Sequence, residues 1–208
     1  MSQLTNDLIL KGYLKTDSVI DAFSEIQRVE FVPEDYAASA DADVPFPIGY
    51  GQTISQPSVV AIMLELLAPR SGHAILDVGC GSGWTTGLLS YAVKPSGHVT
   101  AVDVLPEMVE KARENVDKYQ FVKRGVTEFH VVDGNRGFEK NAPYDGILVS
   151  AEVREIPESL KAQLKVGGNM VIPVFNDVWH VRKTSETEFS KEVYSGFSFV
   201  PLVTSGGE

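Results

Sequence analysis

The stretch His73-Ala74-Ile75-Leu76-Asp77-Val78-Gly79-Cys80-Gly81-Ser82-Gly83-Trp84 decides the fold. An aliphatic run ends on an acidic residue, three glycines alternate with small side chains, and a helix-forming segment follows. That order reads as a strand entering a turn where missing side chains let a ligand reach the backbone, with a helix N-terminus beyond it. Further strands at 98–103, 127–132, 145–151 and 169–174 alternate with helices at 84–92, 106–119 and 156–164. The strands are near-continuous runs rich in Val and Ile, as a sheet covered on both faces requires. The alternation predicts the α/β class: a doubly wound, mostly parallel, Rossmann-like sheet. Beyond Pro173, segments 178–183 and 193–200 flank a polar turn and predict antiparallel strands at one edge.

Upstream of the decisive stretch the period is helical. Leu4, Leu8 and Ile9 form one stripe, and Val19, Ile20, Phe23 and Ile26 a second, with Thr16 as its N-cap. Phe31-Val32-Pro33 is expected to stop the second helix, because proline supplies no backbone donor. Residues 34–51 read as a loop whose Pro45-Phe46-Pro47 run is extended, and a loop this long serves function more often than connection. Pro57 suits the first turn of a helix that carries Val59, Val60, Met63, Leu66 and Leu67. The expected organisation is one compact domain. Residues 1–56 form N-terminal helices and a substrate-side loop, packed on a core at 57–208.

Composition removes several classes of function. The net charge of −10, from 18 basic and 28 acidic residues, speaks against a general duplex-binding surface, and the longest basic cluster, Lys123-Arg124, is too small to act as one, so no nucleic-acid partner is expected. Cys80 is the single cysteine, which excludes an internal disulfide and cysteine-based zinc sites, so no metal is expected. The first residues lack the basic start and apolar run of a signal peptide, and no stretch is long enough to cross a membrane. The expectation is a cytoplasmic, monomeric protein.

The glycine turn has the spacing G-x-G-x-G at Gly79, Gly81 and Gly83. A pyrophosphate fingerprint needs G-x-G-x-x-G, and its third glycine is replaced here by Trp84. Asp77 precedes the glycines, where a carboxylate repels phosphate and attracts a cation. Asp103 closes the second strand 20 residues beyond Gly83, the place from which an acid reaches ribose hydroxyls. Asp133-Gly134 closes the third strand. Three such strand ends describe a pocket for an adenosine that has no phosphate and a positive group near Asp77, and S-adenosylmethionine fits. Cys80 reads as a small filler, since no histidine stands near it in sequence to activate it.

With these residues in place the sequence resembles the protein-L-isoaspartate O-methyltransferase family, within the S-adenosylmethionine-dependent methyltransferases. The resemblance rests on Phe31-Val32-Pro33, on Pro47-Ile48-Gly49-Tyr50-Gly51-Gln52-Thr53-Ile54-Ser55-Gln56-Pro57 and on the glycine loop. It continues through Asp133-Gly134-Asn135-Arg136-Gly137, Ala142-Pro143-Tyr144-Asp145, Glu155-Ile156-Pro157, Leu164-Lys165-Val166-Gly167-Gly168 and Phe199-Val200-Pro201-Leu202. It implies methylation of the free α-carboxylate of L-isoaspartyl residues in damaged proteins or peptides, with S-adenosylhomocysteine as product. Repair then proceeds through a succinimide. It also implies that Ser55 is the active-site serine, and that Thr53 and Ile54 lie at the junction of cofactor and substrate. Gln56, Ser150 and Ala151 fall on the substrate side.

A physical reading supports that placement. With Pro57 as the first helical residue, Ser55 sits just before the N-cap, where free N–H groups would face an incoming anion. Two positions depart from the family pattern. Tyr50 stands where the family commonly has His, and Glu152-Val153-Arg154 replaces small residues after the fourth strand. Glu152 and Arg154 either alter which carboxylate is accepted or pair with each other in solvent. Three other readings stay open: methylation of an ordinary aspartate or another carboxylate on a dedicated peptide, a non-catalytic cofactor binder, and a nicotinamide oxidoreductase disfavoured by the glycine spacing.

Overall fold

The structure, a computed structural model, describes residues 1–204. Seven strands form one sheet: β3 (Ala74–Val78), β4 (His98–Asp103), β5 (Thr127–Val131), β6 (Tyr144–Val149), β7 (Leu164–Val174), β8 (Asp177–Lys183) and β9 (Phe189–Ser195). Their order is β5-β4-β3-β6-β7-β8-β9. The pairs from β5 through β7 are parallel, and β8 and β9 add antiparallel. Winding runs outward from β3 to β5 and then resumes on the other side of β3 with β6. A switch point therefore lies at the carboxyl ends of β3 and β6, where such sheets bind ligands.

Alternation along each strand feeds two apolar layers. Ile75, Val99, Ala101, Phe129, Leu148 and Val171 face one layer, with α3 (Pro57–Leu67), α4 (Trp84–Val93) and α5 (Pro106–Asp117). Leu76, Val78, Val102, Ile147, Val149 and Ile172 face the other, which α6 (Glu158–Gln163) covers through Leu160. The N-terminal helices α1 (Gln3–Leu10) and α2 (Asp17–Glu25) bring Leu4, Leu8, Val19 and Phe23 into the first layer. Among the described residues no helix is long and apolar enough to cross a membrane. None of their His, Cys, Asp and Glu side chains gather in a group of three or more that could hold a metal ion.

The structure corrects four local expectations. Helix α2 ends at Glu25, well before Pro33, because Ile26 turns extended and a short 3-10 turn spans Arg28–Phe31. The reason is packing: a Cβ built on Gly87 of α4 would lie 3.1 Å from Ile26 and 3.3 Å from Phe31. Both side chains therefore reach the same spot on α4, and a continuous helix would carry them to different faces. Thr16 precedes α2 but makes no side-chain cap, since its hydroxyl donates to Glu65 at 2.6 Å. Segment 34–51 holds a 3-10 turn at Glu34–Ser39 and the strand β1 (Phe46–Gly49), which pairs with β2 (Gln52–Ile54). The last strand is Phe189–Ser195, and Gly196, at φ +96°, turns the chain back across the sheet end.

Candidate active site

Gly79, Gly81 and Gly83 all have positive φ, at +78°, +52° and +93°, so the loop after β3 turns tightly into α4. The Asp103 carboxylate accepts from the Gly81 N–H at 3.1 Å and from the Leu105 N–H at 3.1 Å. Burial raises its pKa, and the backbone donors oppose that shift. Gly79, Gly81, Asp103 and Gly134 line a cleft at the switch point, together with Thr53, Ile54, Ser55, Ser150 and Ala151. Gly134 is held close: a Cβ there would stand 2.6 Å from Val78 and 3.3 Å from Leu202. Cys80 is buried in the same wall, and burial pushes its thiol well above the usual range.

Two of the three strand-end acids stand back from the cleft. Asp77 is fully buried beneath the loop and accepts from the Thr86 hydroxyl at 2.6 Å and the Thr85 hydroxyl at 3.2 Å. Its other oxygen has no partner among the described residues, and burial pushes its pKa up to about 6. Asp133 accepts from the Asn135 N–H at 3.0 Å and starts a short 3-10 turn. Gly83 serves packing, because a Cβ there would meet the Ala112 backbone at 3.0 Å.

A second groove adjoins the first. Tyr13, Pro45, Gln56, Val59, Ile62 and Phe197 line it, and it shares Thr53, Ser55, Ser150 and Val200 with the cleft. Ser55 precedes α3, whose first helical residue is Pro57. The helix end is only partly open to an anion, because one of its free N–H groups is already taken. The Ser58 N–H already donates to the Asp43 carboxylate at 2.8 Å. The amide of Gln56 is turned to the Ser58 hydroxyl at 3.0 Å.

The residue that organises this region is Arg28, which local sequence gave no reason to single out. The residue is 2% exposed, and its guanidinium donates to the carbonyls of Ala40, Ala42, Val44 and Ser55 at 2.7, 3.1, 2.9 and 3.0 Å. It lies 5.2 Å from the ring centres of both Phe46 and Trp84. Burial lowers its pKa to about 10, against the raising influence of Asp43 and Asp41. Sequence reasoning put the segment after Gly196 in an edge strand and missed its place at the site, where it borders the groove through Phe197, Ser198 and Phe199 and the cleft through Val200, Pro201, Leu202 and Val203.

Comparison with known proteins gives the family. Residues 1–207 match the family model of protein-L-isoaspartate(D-aspartate) O-methyltransferase. The chain belongs to that family. A protein-L-isoaspartate O-methyltransferase of Methanopyrus kandleri is 44% identical over 200 residues, covering 94% of this chain and 88% of the relative. One from Ignicoccus hospitalis is 40% identical over 97% of this chain and 96% of its own length. A solved protein-L-isoaspartate O-methyltransferase superposes with a TM-score of 0.87 at 26% identity, covering 99% of this chain and 66% of that longer one. A Plasmodium falciparum structure described as the same enzyme in complex with S-adenosyl-L-homocysteine has a TM-score of 0.86 at 22% identity over 96% of both chains, a likeness of fold.

The two positions singled out beside the family motifs also find their places. Tyr50 is exposed at the tip of the β1–β2 hairpin with φ +54°, between Gly49 and Gly51. Glu152 does not pair with Arg154; its carboxylate accepts from the Asn176 N–H at 2.9 Å.

Proposed function

We propose that this chain transfers the methyl group of S-adenosylmethionine to the free α-carboxylate of L-isoaspartyl residues in damaged proteins or peptides. The products are S-adenosylhomocysteine and a methyl ester, which closes to a succinimide and so begins repair. One observation carries the reading: two clefts meet at Ser55, one walled by the glycine loop and the other open to a peptide. Family membership supports it.

The chemistry of the walls fits each ligand. Asp103 is the one charged side chain lining the first cleft among the described residues, so the cleft suits a cationic cofactor and offers nothing to a pyrophosphate. Gly79, Gly81, Asp103 and Gly134 would hold the adenosine, and Thr53, Ile54 and Ser55 the end nearest the substrate. S-adenosylmethionine supplies an activated methyl group that accepts an electron pair without prior protonation. The groove lining carries no charged side chain among the described residues. Hydroxyls of Ser55 and Ser150 and the amide of Gln56 would orient the substrate carboxylate. Neutral donors hold an anion without quenching its nucleophilicity, as a full ion pair would.

No general base is needed, because a carboxylate of pKa about 4 is ionised at neutral pH. With the cofactor bound, the substrate oxygen would supply the electron pair for the new bond to the methyl carbon, the carbon–sulfur pair would leave with sulfur, and these residues would have no proton to move. Catalysis is therefore alignment and exclusion of water. Ser55 acts as an orienting donor whose position is set by the Arg28 hydrogen bond to its own carbonyl.

The test uses methyl-labelled S-adenosylmethionine and two peptides that differ only in Asp or isoAsp. Label is expected on the isoaspartyl peptide alone, released as methanol at mildly alkaline pH. Ser55→Ala is expected to lower kcat at least ten-fold while S-adenosylhomocysteine still binds. Label on the aspartyl peptide, or cofactor binding with no transfer to either, refutes the reading.

A further inference from the structure

The chain between Gly196 and Val203 walls both the cleft and the groove, yet it belongs to no strand or helix. Something must hold it against the sheet end. Two of its attachments are to the backbone of Glu152, whose N–H donates to the Val200 carbonyl and whose carbonyl accepts from the Leu202 N–H, both at 2.8 Å. The next residue is stitched the other way, with the Val153 N–H donating to the Pro173 carbonyl at 3.0 Å. Residues 152–153 thus join β7 to this wall.

The other end of the segment is reached through the Glu152 side chain. Its carboxylate accepts from the Asn176 N–H at 2.9 Å, and the Asn176 carbonyl accepts from the Phe197 N–H at 3.0 Å. Phe175 and Asn176 form the tight β7–β8 turn with φ of +49° and +61°. That conformation costs a residue with a side chain free energy, and Phe175 is 63% exposed and gains no burial in return. An acceptor on the Asn176 N–H offsets part of that cost and fixes the carbonyl that anchors Phe197.

We propose that Glu152 is a positioning residue that clamps the 196–203 wall at both ends, at Val200 and Leu202 through its backbone and at Phe197 through Asn176. Cofactor and peptide affinity are therefore set together by a residue that touches neither ligand. Glu152 thus supports the wall and does not select the substrate carboxylate. The proposal rests on the methyltransferase reading for its ligands, but the clamp itself is measurable without them.

Glu152→Ala and Glu152→Gln separate the alternatives, with Arg154→Ala as a control at an exposed neighbour. In the ligand-free protein, Glu152→Ala is expected to speed hydrogen exchange at the Asn176, Phe197 and Leu202 amides. It should also raise the Kd for S-adenosylhomocysteine and the KM for an isoaspartyl peptide by about three- to ten-fold each, the net worth of one ordinary hydrogen bond, since this one is exposed to water. The kcat should stay within about two-fold. Glu152→Gln keeps an acceptor and is expected to restore all three towards the wild type. Unchanged exchange at those amides overturns the proposal. So does a change in preference between acidic and basic peptides shared by both Glu152 variants without loss of cofactor affinity. A wild-type protein that fails to methylate refutes the function but leaves the exchange result to decide the clamp.

Discussion

Replacing Arg28 with methionine keeps the length and apolar stem of the side chain and removes its charge and donors. Four buried or half-buried carbonyls, of Ala40, Ala42, Val44 and Ser55, then lose their partners. Each bond to a charged donor is worth about 1.5–3 kcal/mol, or roughly 6–12 kcal/mol for four. Against this stands the cost of burying the cation. A pKa lowered from 12.5 to about 10 corresponds to about 3 kcal/mol. The Nε–H has no partner among the described residues, which trims the gain further. The bonds win by about 3–9 kcal/mol, and because three of the freed carbonyls are only part-buried and can be rehydrated, the expected loss is at the low end, about 3–5 kcal/mol. For a protein of this size that lowers Tm by roughly 6–20 °C. Arg28→Lys should lose about half as much, because an ammonium has three donors and no planar face for Phe46 and Trp84. Thermal melts of the three proteins, with S-adenosylhomocysteine titrations below the lowest Tm, make the test. A methionine variant within 1 kcal/mol of wild type would refute the view that this cation organises the site.

Asp77 makes stability depend on pH in a stated direction. Its folded-state pKa of about 6 exceeds the ordinary 3.8, so the stability it contributes is full below pH 4 and lost as pH rises through 6. Urea unfolding should show wild type losing up to about 3 kcal/mol relative to Asp77→Asn between pH 4 and 7; parallel curves would count against it. Gly83→Ala should cost about 2–4 kcal/mol, from a left-handed φ of +93° and a Cβ 3.0 Å from the Ala112 backbone, as read by denaturant midpoint. Asp43→Ala removes the acceptor for the Ser58 N–H and should lower stability by about 1 kcal/mol, whereas Asp43→Asn should retain most of it. At low salt, isoaspartyl peptides with basic flanks should show lower KM than acidic ones, given a net charge of −10, and the gap should close as salt screens the field.

The sheet was legible because its signals are local. Apolar runs, a glycine turn and helical periods recur within windows of about a dozen residues, and each strand from Ala74 to Val174 stands within a few residues of where the pattern puts it. Asp103 was legible for the same reason, since an acid at a strand end needs no distant partner to be noticed. Asp77 shows the limit. Its position along the strand was readable, but whether its side chain faced the ligand or the core depended on Thr85 and Thr86 folding back one helical turn later. Arg28 was invisible because its burial depends on carbonyls contributed by residues 40–55, and nothing in an isolated arginine announces a future cage. The wall from Gly196 to Val203 has no period at all; residues 152 and 176 hold it, and only the folded chain brings these together.

The N-terminus of α3 carries this reasoning into the mechanism. Local rules correctly place Pro57 first in the helix and Ser55 just ahead of it, and they correctly leave N–H groups there without intrahelical partners. They could not say that Asp43 would fill the Ser58 position from 15 residues upstream. The consequence is chemical. A helix end that already holds an internal carboxylate on its Ser58 N–H attracts the substrate's carboxylate less than a bare one would, and the buried Arg28 charge is spent on backbone carbonyls. The groove thus offers an incoming carboxylate hydroxyl and amide donors and no full positive charge. A nucleophile held that way keeps its electron density available for the methyl group. An anion gripped by a bare helix end or a free guanidinium would bind more tightly and react more slowly, since binding that favours the ground state adds nothing to kcat.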